Sequence, residues 1–313
     1  MTYPFNLLGQ SDPQMVLAAL QNRPLSKNGL ADDACRFVPD EDLQIAINTA
    51  IAVGEPLLLT GQPGTGKTQA AYYVAWKLGL EQVLHFQVKS DSTAQDLLYH
   101  FDSVRYFHDA HLLAGATLSK ANYVEPRPLW EALVSDTPRV LLIDEIDKAP
   151  RDFPNDLLHE LDQMHFTVKE TGEKVEVKGN NRPLVFITSN SERRLPEAFL
   201  RRCVFHHIDF NSEMLMTVLG QHKAAFSRFS DDFLKLAIAR FMELHKAHGL
   251  RKPPATGELL VWLRTMALDA GVSPQRMAEL FAQLSNRQQL PPYIGTLLKD
   301  RDDTKATQQR YPA

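Results

Sequence analysis

The chain has 313 residues, of which 44% are hydrophobic and 23% charged; these globular values exclude disordered chains, collagen-like repeats and coiled-coil rods. At about 100–200 residues per domain the length gives two domains, long enough to bury a core without disulfides or metal staples. Lys and Arg number 34 against 38 Asp and Glu, a net charge of −4, which argues against wholesale polyanion binding and leaves room only for a local basic groove.

The only cysteines, Cys35 and Cys203, lie far apart, so they make neither a disulfide framework nor a zinc spacing and read as two buried thiols in a reducing compartment. No apolar run approaches the ~18–20 residues that span a bilayer. The opening Met-Thr-Tyr-Pro-Phe-Asn has neither the basic nor the apolar region of a signal peptide. A cytoplasmic location is expected.

Residues 1–36, with scattered Pro, Asn, Gly and Asp, read as an extension with one short helix at Pro13–Leu20. Asp40 then caps a helix carrying Leu43, Ile45, Ala46, Ile47, Ala50 and Ile51, which Gly54 stops. Short apolar runs follow at Leu57–Thr60, Leu84–Val88, Arg139–Ile143, Leu184–Thr188 and Val204–Ile208, separated by helical or mixed segments. That is the pattern of buried strands in a parallel α/β sheet. Phe166, Val168, Val175 and Val177 alternate with polar residues around Glu170-Thr171-Gly172-Glu173, which predicts a solvent-facing β-hairpin with Gly172 in its turn. After Asn211 the period turns helical: Phe233, Leu234, Ile238, Phe241 and Leu244 mark one helix, Leu259 to Met266 another, and Ser273-Pro274 opens a third. The expected organisation is an extension (1–36), an α/β nucleotide-binding core (37–210), a small all-helical domain (211–300) and a solvated tail (301–313).

Gly61-Gln62-Pro63-Gly64-Thr65-Gly66-Lys67-Thr68 matches G-x-x-x-x-G-K-[ST] in full, after a predicted strand and opening a helix that runs to Gly79. Glycines there let backbone N–H groups turn around phosphate oxygens where a Cβ would block approach, and the helix N-terminus adds partial positive charge. Lys67 is placed to reach β- and γ-phosphates, and the Thr68 hydroxyl to take one Mg²⁺ position. The apolar strand Arg139–Ile143 ends in Asp144-Glu145. A strand end in an open α/β sheet is where ligands bind, so Asp144 is expected to hold Mg²⁺ through a water and Glu145 to polarise the attacking water. The 11 histidines show no metal-binding spacing, and His206 and His207 on a predicted strand read as structural.

Taken in order, GQPGTGKT, LLIDEIDKAP, ITSN and LPEAFLRRC, with the hairpin between the second and third, make the chain similar to the AAA+ ATPases and, within them, to the MoxR group over about residues 37–300. The resemblance implies that Asn190 positions the attacking water, which suits an amide able to donate to phosphate and accept from water. It implies an arginine finger at Arg202 or Arg201, reaching into a neighbouring subunit's site, an effect of about 10³–10⁵ in rate where one is used. The family's lid usually carries a sensor arginine in a Pro-Ser-Pro-Arg-like stretch. Here the comparable segment reads Arg251-Lys252-Pro253-Pro254-Ala255-Thr256-Gly257-Glu258, a loose match that leaves Arg251, Lys252 and Arg264 as alternatives. Between strands two and three, Tyr99-His100-Phe101 and Tyr106-Phe107 supply either a pore loop or plain aromatic packing.

The resemblance further implies an ATP- and Mg²⁺-dependent ATPase, assembled as a ring (a hexamer) with ATP between subunits, that remodels, activates or inserts metal into a client protein beside a von Willebrand factor A domain partner. The hairpin then serves as a contact surface. Two other readings stand beside it: a nucleic-acid-linked motor or loader of the same superfamily, against which the charge of −4 weighs, and a low-turnover nucleotide-dependent scaffold. No residue in the sequence distinguishes adenine from guanine, so ATP rests on the resemblance.

Overall fold

The computed structural model describes residue 14 and residues 29–112, 118–222, 225–270 and 273–310. The expected helix at Pro13–Leu20 lies outside the described residues apart from Gln14. The strands are β1 (Leu57–Gly61), β2 (Leu84–Gln87), β3 (Tyr99–Phe101), β4 (Val124–Pro126), β5 (Val140–Asp144), β6 (His165–Thr167), β7 (Lys174–Glu176), β8 (Leu184–Ser189) and β9 (Val204–Ile208). The chain falls into two compact units, Gly29–Gln62 with Gly66–Ile208, and residues 209–310 with Pro63–Thr65. Among the described residues no helix is long and apolar enough to cross a membrane.

In the first unit five strands form a parallel sheet in the order β2-β5-β8-β1-β9. The expected α/β class holds, and so does each of the five expected strands within a residue or two. Continuous apolar runs arise because both sheet faces are covered. Leu58, Leu141, Ile143, Val185 and Ile187 enter one core, while their neighbours Leu57, Leu59, Val140, Leu142 and Phe186 enter another beneath two helices. The first of these helices, Glu41–Val53, is capped by Asp40, whose carboxylate accepts from Leu43 N at 2.8 Å. It buries Leu43, Ala46, Ile47 and Ala50, the i, i+3, i+4, i+7 stripe of an amphipathic helix. The second, Lys67–Lys77, leads out of the phosphate loop.

Several expectations need correction. Residues 29–36 are not a detached arm: Ala34 is buried, and Gln69 Nε2 donates to Leu30 O at 2.8 Å, binding this segment to the Lys67–Lys77 helix. The β6–β7 hairpin forms, with Gly172 at φ +74°, but it does not face solvent on both sides. Phe166, Val168 and Val175 are buried in the core, because period-2 alternation sends one whole face of a strand inward. Cys35 is exposed, and only Cys203 is partly buried. Its Sγ donates to Phe199 O at 3.5 Å, and burial pushes its thiol up to about 12.

The second unit is helical, as its periodicity predicts: Ser212–Gln221, Asp231–His245, Thr256–Ala270, Pro274–Ser285, Ile294–Leu297 and Arg301–Arg310. Phe233, Phe241, Trp262, Leu263 and Leu280 form its core, and Ser273 caps the Pro274 helix by accepting from Arg276 N at 3.1 Å. Residues 301–310 are a helix of this unit, not a solvated tail. Asp300 Oδ1 accepts from the amides of Asp302 and Asp303 at 2.7 and 3.0 Å, so the acidic run is a helix start, where carboxylates oppose the dipole favourably. Buried Asp303 accepts from Arg251 N and Lys252 N at 2.9 and 3.0 Å.

Candidate functional site

The strand order decides which side chains meet. β8 lies between β1, which leads into the phosphate loop, and β5, which carries the acidic pair. The C-terminal end of β8 is therefore interposed between phosphate loop and carboxylates, and it supplies two groups, Thr188 and Asn190. A crossover of this kind places ligand chemistry at the carboxyl edge of the sheet.

Around the loop, Gly66 sits at φ +92°, and a Cβ added there would stand 2.8 Å from Cε2 of Phe37. Only glycine fits this turn without strain. Lys67 is 6% exposed and donates from Nζ to Gly61 O at 2.8 Å and Gln62 O at 2.9 Å. Burial pushes its ammonium below the ordinary value, while the charges of Asp144, Asp147 and Glu145 pull it back up. The cation is thus folded over the loop's own carbonyls.

Asp144 is 5% exposed. Its Oδ1 accepts from Thr68 Oγ1 at 2.9 Å and from Thr188 Oγ1 at 2.6 Å, and its Oδ2 lies 3.3 Å from His85 Nε2. Burial alone would raise its pKa; the hydrogen bonds from His85, Thr188 and Thr68 outweigh that and hold the carboxyl below the usual carboxylate range. A threonine hydroxyl and an ionised carboxylate 2.9 Å apart are hard oxygen donors of the sort that suits Mg²⁺ beside phosphates. The residues fit that ion.

Glu145 adopts a left-handed backbone (φ 59°, ψ 50°), a strained conformation for a non-glycine residue. Thr188 steadies it: Glu145 N donates to Thr188 Oγ1 at 2.8 Å. The turn throws the Glu145 side chain away from Asp144, toward other partners. Oε1 accepts from Asn190 Nδ2 at 3.1 Å, and Oε2 from Gln87 Nε2 at 2.7 Å and Lys148 Nζ at 2.5 Å. The expected catalytic carboxylate and the expected sensor amide are in direct contact. Lys148's ammonium is raised by that bond to Glu145.

Sequence reasoning missed Thr188, His85, Gln87 and Asp147. Buried Asp147 accepts from the amides of Asn190 at 3.3 Å and Glu192 at 2.9 Å, fixing the turn that carries Asn190. Asp147 and Thr188 had a signal, since they lie inside the quoted LLIDEIDKAP and ITSN segments. His85 and Gln87 had none beyond lying on a predicted strand.

The remaining candidates are dispersed. Arg202 is engaged within its own chain, with Nε 2.7 Å from Asp162 Oδ2 and Nη1 donating to Ala198 O at 3.0 Å. Arg201 is 81% exposed, with Glu197 at 3.7 Å as an ion-pair partner, and it is the freer of the two. Tyr99 is 2% exposed, stacks on Phe166 and accepts from Lys169 N; Phe101 packs on the same core. Aromatic packing, not a pore loop, is the structural role of these two. In the helical unit, Arg251 pairs with Asp302 at 2.9 Å, the Lys252 amide is bound by Asp303, and Arg264 is exposed on its helix. His207 bonds Thr60 through Nδ1 at 2.9 Å, a structural contact as expected.

Residues 56–203 match the family profile of the AAA domain (dynein-related subfamily). The chain is similar to the uncharacterized protein YehL of Escherichia coli (strain K12), 24% identical over 280 residues, covering 83% of this chain and 74% of YehL. It is also similar to a crystal structure from Cytophaga hutchinsonii ATCC 33406, a protein there provisionally called an ATPase. That match has 16% identity and a TM-score of 0.41, covering 91% of this chain and 93% of the other.

Proposed function

From the AAA domain over residues 56–203, we propose that this protein binds ATP with Mg²⁺, hydrolyses it with water, and couples turnover to remodelling of a client protein, in the manner of the MoxR-like AAA+ ATPases. The observation that carries the reading is the set Thr68, Asp144, Thr188, Glu145 and Asn190, joined by hydrogen bonds of 2.6–3.1 Å, with Lys67 next to Thr68 and donating to Gly61 O at 2.8 Å. Mg²⁺ neutralises phosphate charge when bound, and Thr68 and Asp144 are the residues to hold it. Gly61 to Thr68 bind and orient the phosphates. Glu145 accepts a proton from the attacking water, and Asn190, already donating to Glu145, keeps that carboxylate aimed.

Ring assembly, a hexamer in the resemblance, supplies what one chain lacks: an arginine from a neighbour. Arg201 projects freely enough for that role, while Arg202 would first release Asp162. A client activated or loaded with metal, beside a von Willebrand factor A domain partner, is the class of target proposed.

Four variants test the reading. Lys67→Ala should abolish binding of a fluorescent ATP analogue, and intact affinity would sink the phosphate-loop assignment. Glu145→Gln should bind and not turn over; wild-type hydrolysis would refute its role. Arg201→Ala and Arg202→Ala, each mixed with Glu145→Gln, should regain activity if the arginine acts in trans. No recovery at any ratio for either would count against a shared site. Mass spectrometry of proteins retained on the Glu145→Gln form with ATP then identifies the client, and retained nucleic acid in its place would overturn the protein-remodelling reading.

A further inference from the structure

Asp144 has one contact that phosphate binding does not call for. Its Oδ1 is filled by the hydroxyls of Thr68 and Thr188, but its Oδ2 faces His85 Nε2 at 3.3 Å. His85 stands on β2, where the register pairs it with Leu142 of the neighbouring β5. Two residues further along β5, Asp144 leaves the strand on the same sheet face, since side chains alternate with period 2. The other ring nitrogen is also occupied: Nδ1 lies 3.1 Å from the hydroxyl of Tyr72, on the helix that begins at Lys67. The rings of Tyr72 and His85 meet edge to face at 6.1 Å. The side chain of His85 is 24% exposed and that of Asp144 8%, so this is a largely dry, fixed arrangement.

The hydrogen-bond pattern specifies a tautomer. An ionised Asp144 can only accept, so Nε2 carries the ring proton facing Oδ2, and in the neutral ring Nδ1 is then the acceptor for the Tyr72 phenol. Two donors on Oδ1 and one on Oδ2 leave the carboxylate no free rotation about its Cβ–Cγ bond. Among the described residues, His85 is the hydrogen-bond partner of Oδ2. Histidine steered by a third group, and in turn steering a carboxylate, is the arrangement by which outer partners tune a metal-holding side chain.

We propose that His85, locked in its Nε2–H tautomer by Tyr72, is the positioning residue for Asp144 and sets the orientation in which that carboxylate holds Mg²⁺. The inference rests on the assignment of Asp144 to Mg²⁺ made above. Neither side chain touches nucleotide in this scheme; both act through Asp144.

The test titrates Mg²⁺ into each protein at fixed concentration of a fluorescent ATP analogue and reads the half-saturating Mg²⁺, with nucleotide affinity in EDTA measured alongside. His85→Ala should raise the half-saturating Mg²⁺ by about 10-fold, within the 10–100-fold span of such outer partners, and leave affinity in EDTA within about twofold. His85→Gln, whose amide can present an N–H near the place of Nε2, should recover most of the shift. Tyr72→Phe, which removes only the hydroxyl, should shift it in the same direction by a smaller factor. A His85→Ala requirement within about twofold of wild type, while Asp144→Asn raises it, overturns the positioning role and leaves the assignment of Asp144 standing. An unchanged requirement in Asp144→Asn overturns that assignment and the inference with it. Should His85→Ala lose its cooperative thermal transition, Tyr72→Phe carries the test, and a Mg²⁺ requirement equal to wild type overturns the proposal.

Discussion

Thr188→Val removes one hydroxyl from the middle of the site and nearly preserves shape. That hydroxyl donates to Asp144 Oδ1 at 2.6 Å and accepts from Glu145 N at 2.8 Å, in a side chain 1% exposed. Losing a hydrogen bond to an ionised carboxylate costs about 1.5–3 kcal/mol. The Glu145 amide, left unpaired at a strained left-handed residue, adds about 1–3 kcal/mol. Burying a methyl in place of the hydroxyl offsets about 1 kcal/mol. The net expectation is a loss of about 1.5–5 kcal/mol, measured by urea unfolding followed through tryptophan emission. Trp76 and Trp130 lie in the same compact unit as Thr188. Because Glu145 would also lose its backbone tether, hydrolysis should fall further than nucleotide binding. A stability loss below about 0.5 kcal/mol, with hydrolysis unchanged, would refute the view that Thr188 couples the two carboxylates.

Gly66→Ala places a methyl at φ +92° and 2.8 Å from the Phe37 ring; it should destabilise by about 1–3 kcal/mol, and an unaltered urea midpoint would contradict the strained-turn assignment. Native alkylation with iodoacetamide at pH 8 should label exposed Cys35 and spare Cys203, whose thiol at about 12 leaves roughly one thiolate in ten thousand. Mass spectrometry showing equal labelling before unfolding would count against that burial. Asp144 is held below its ordinary value. Its stabilising contribution is therefore complete above the unfolded value of about 3.9 and is lost as pH falls through the lower folded value. In the metal-free protein the stability gap between wild type and Asp144→Asn should accordingly close on acidification, and a gap independent of pH would rule this linkage out.

Local patterns carried much of the fold into the sequence. Apolar runs such as Leu57–Thr60 and Leu184–Thr188 announce strands because burial on both faces leaves no place for polar residues, and the five runs became the five strands of the sheet. Asp40 and Ser273 announce helix starts because a cap is a contact between residues three apart. Where an acidic run admits two readings, sequence alone chose wrongly: Lys299 to Asp303 looks solvated until Asp303 meets the Arg251 and Lys252 amides, a contact across more than fifty residues. The hairpin formed as expected, but its solvent-facing placement failed on one face, because alternation reveals two faces without saying what lies beneath one of them.

By itself the sequence determined which groups the candidate site holds: a G-x-x-x-x-G-K-T loop, an acidic pair and a strand-end asparagine, each readable from neighbours along the chain. Only the tertiary structure decided how those groups are joined. With β8 lying between β1 and β5, Thr188 bridges Asp144 to Glu145, Asn190 reaches Glu145, and His85 with Tyr72 closes on the other side of Asp144. Of these, the contacts made by the two carboxylates and Thr188 join residues between 43 and 59 positions apart. The physical reason is that parallel strands next to each other in a sheet are brought together by crossovers, so the partners of a strand-end side chain depend on strand order, which no local pattern encodes.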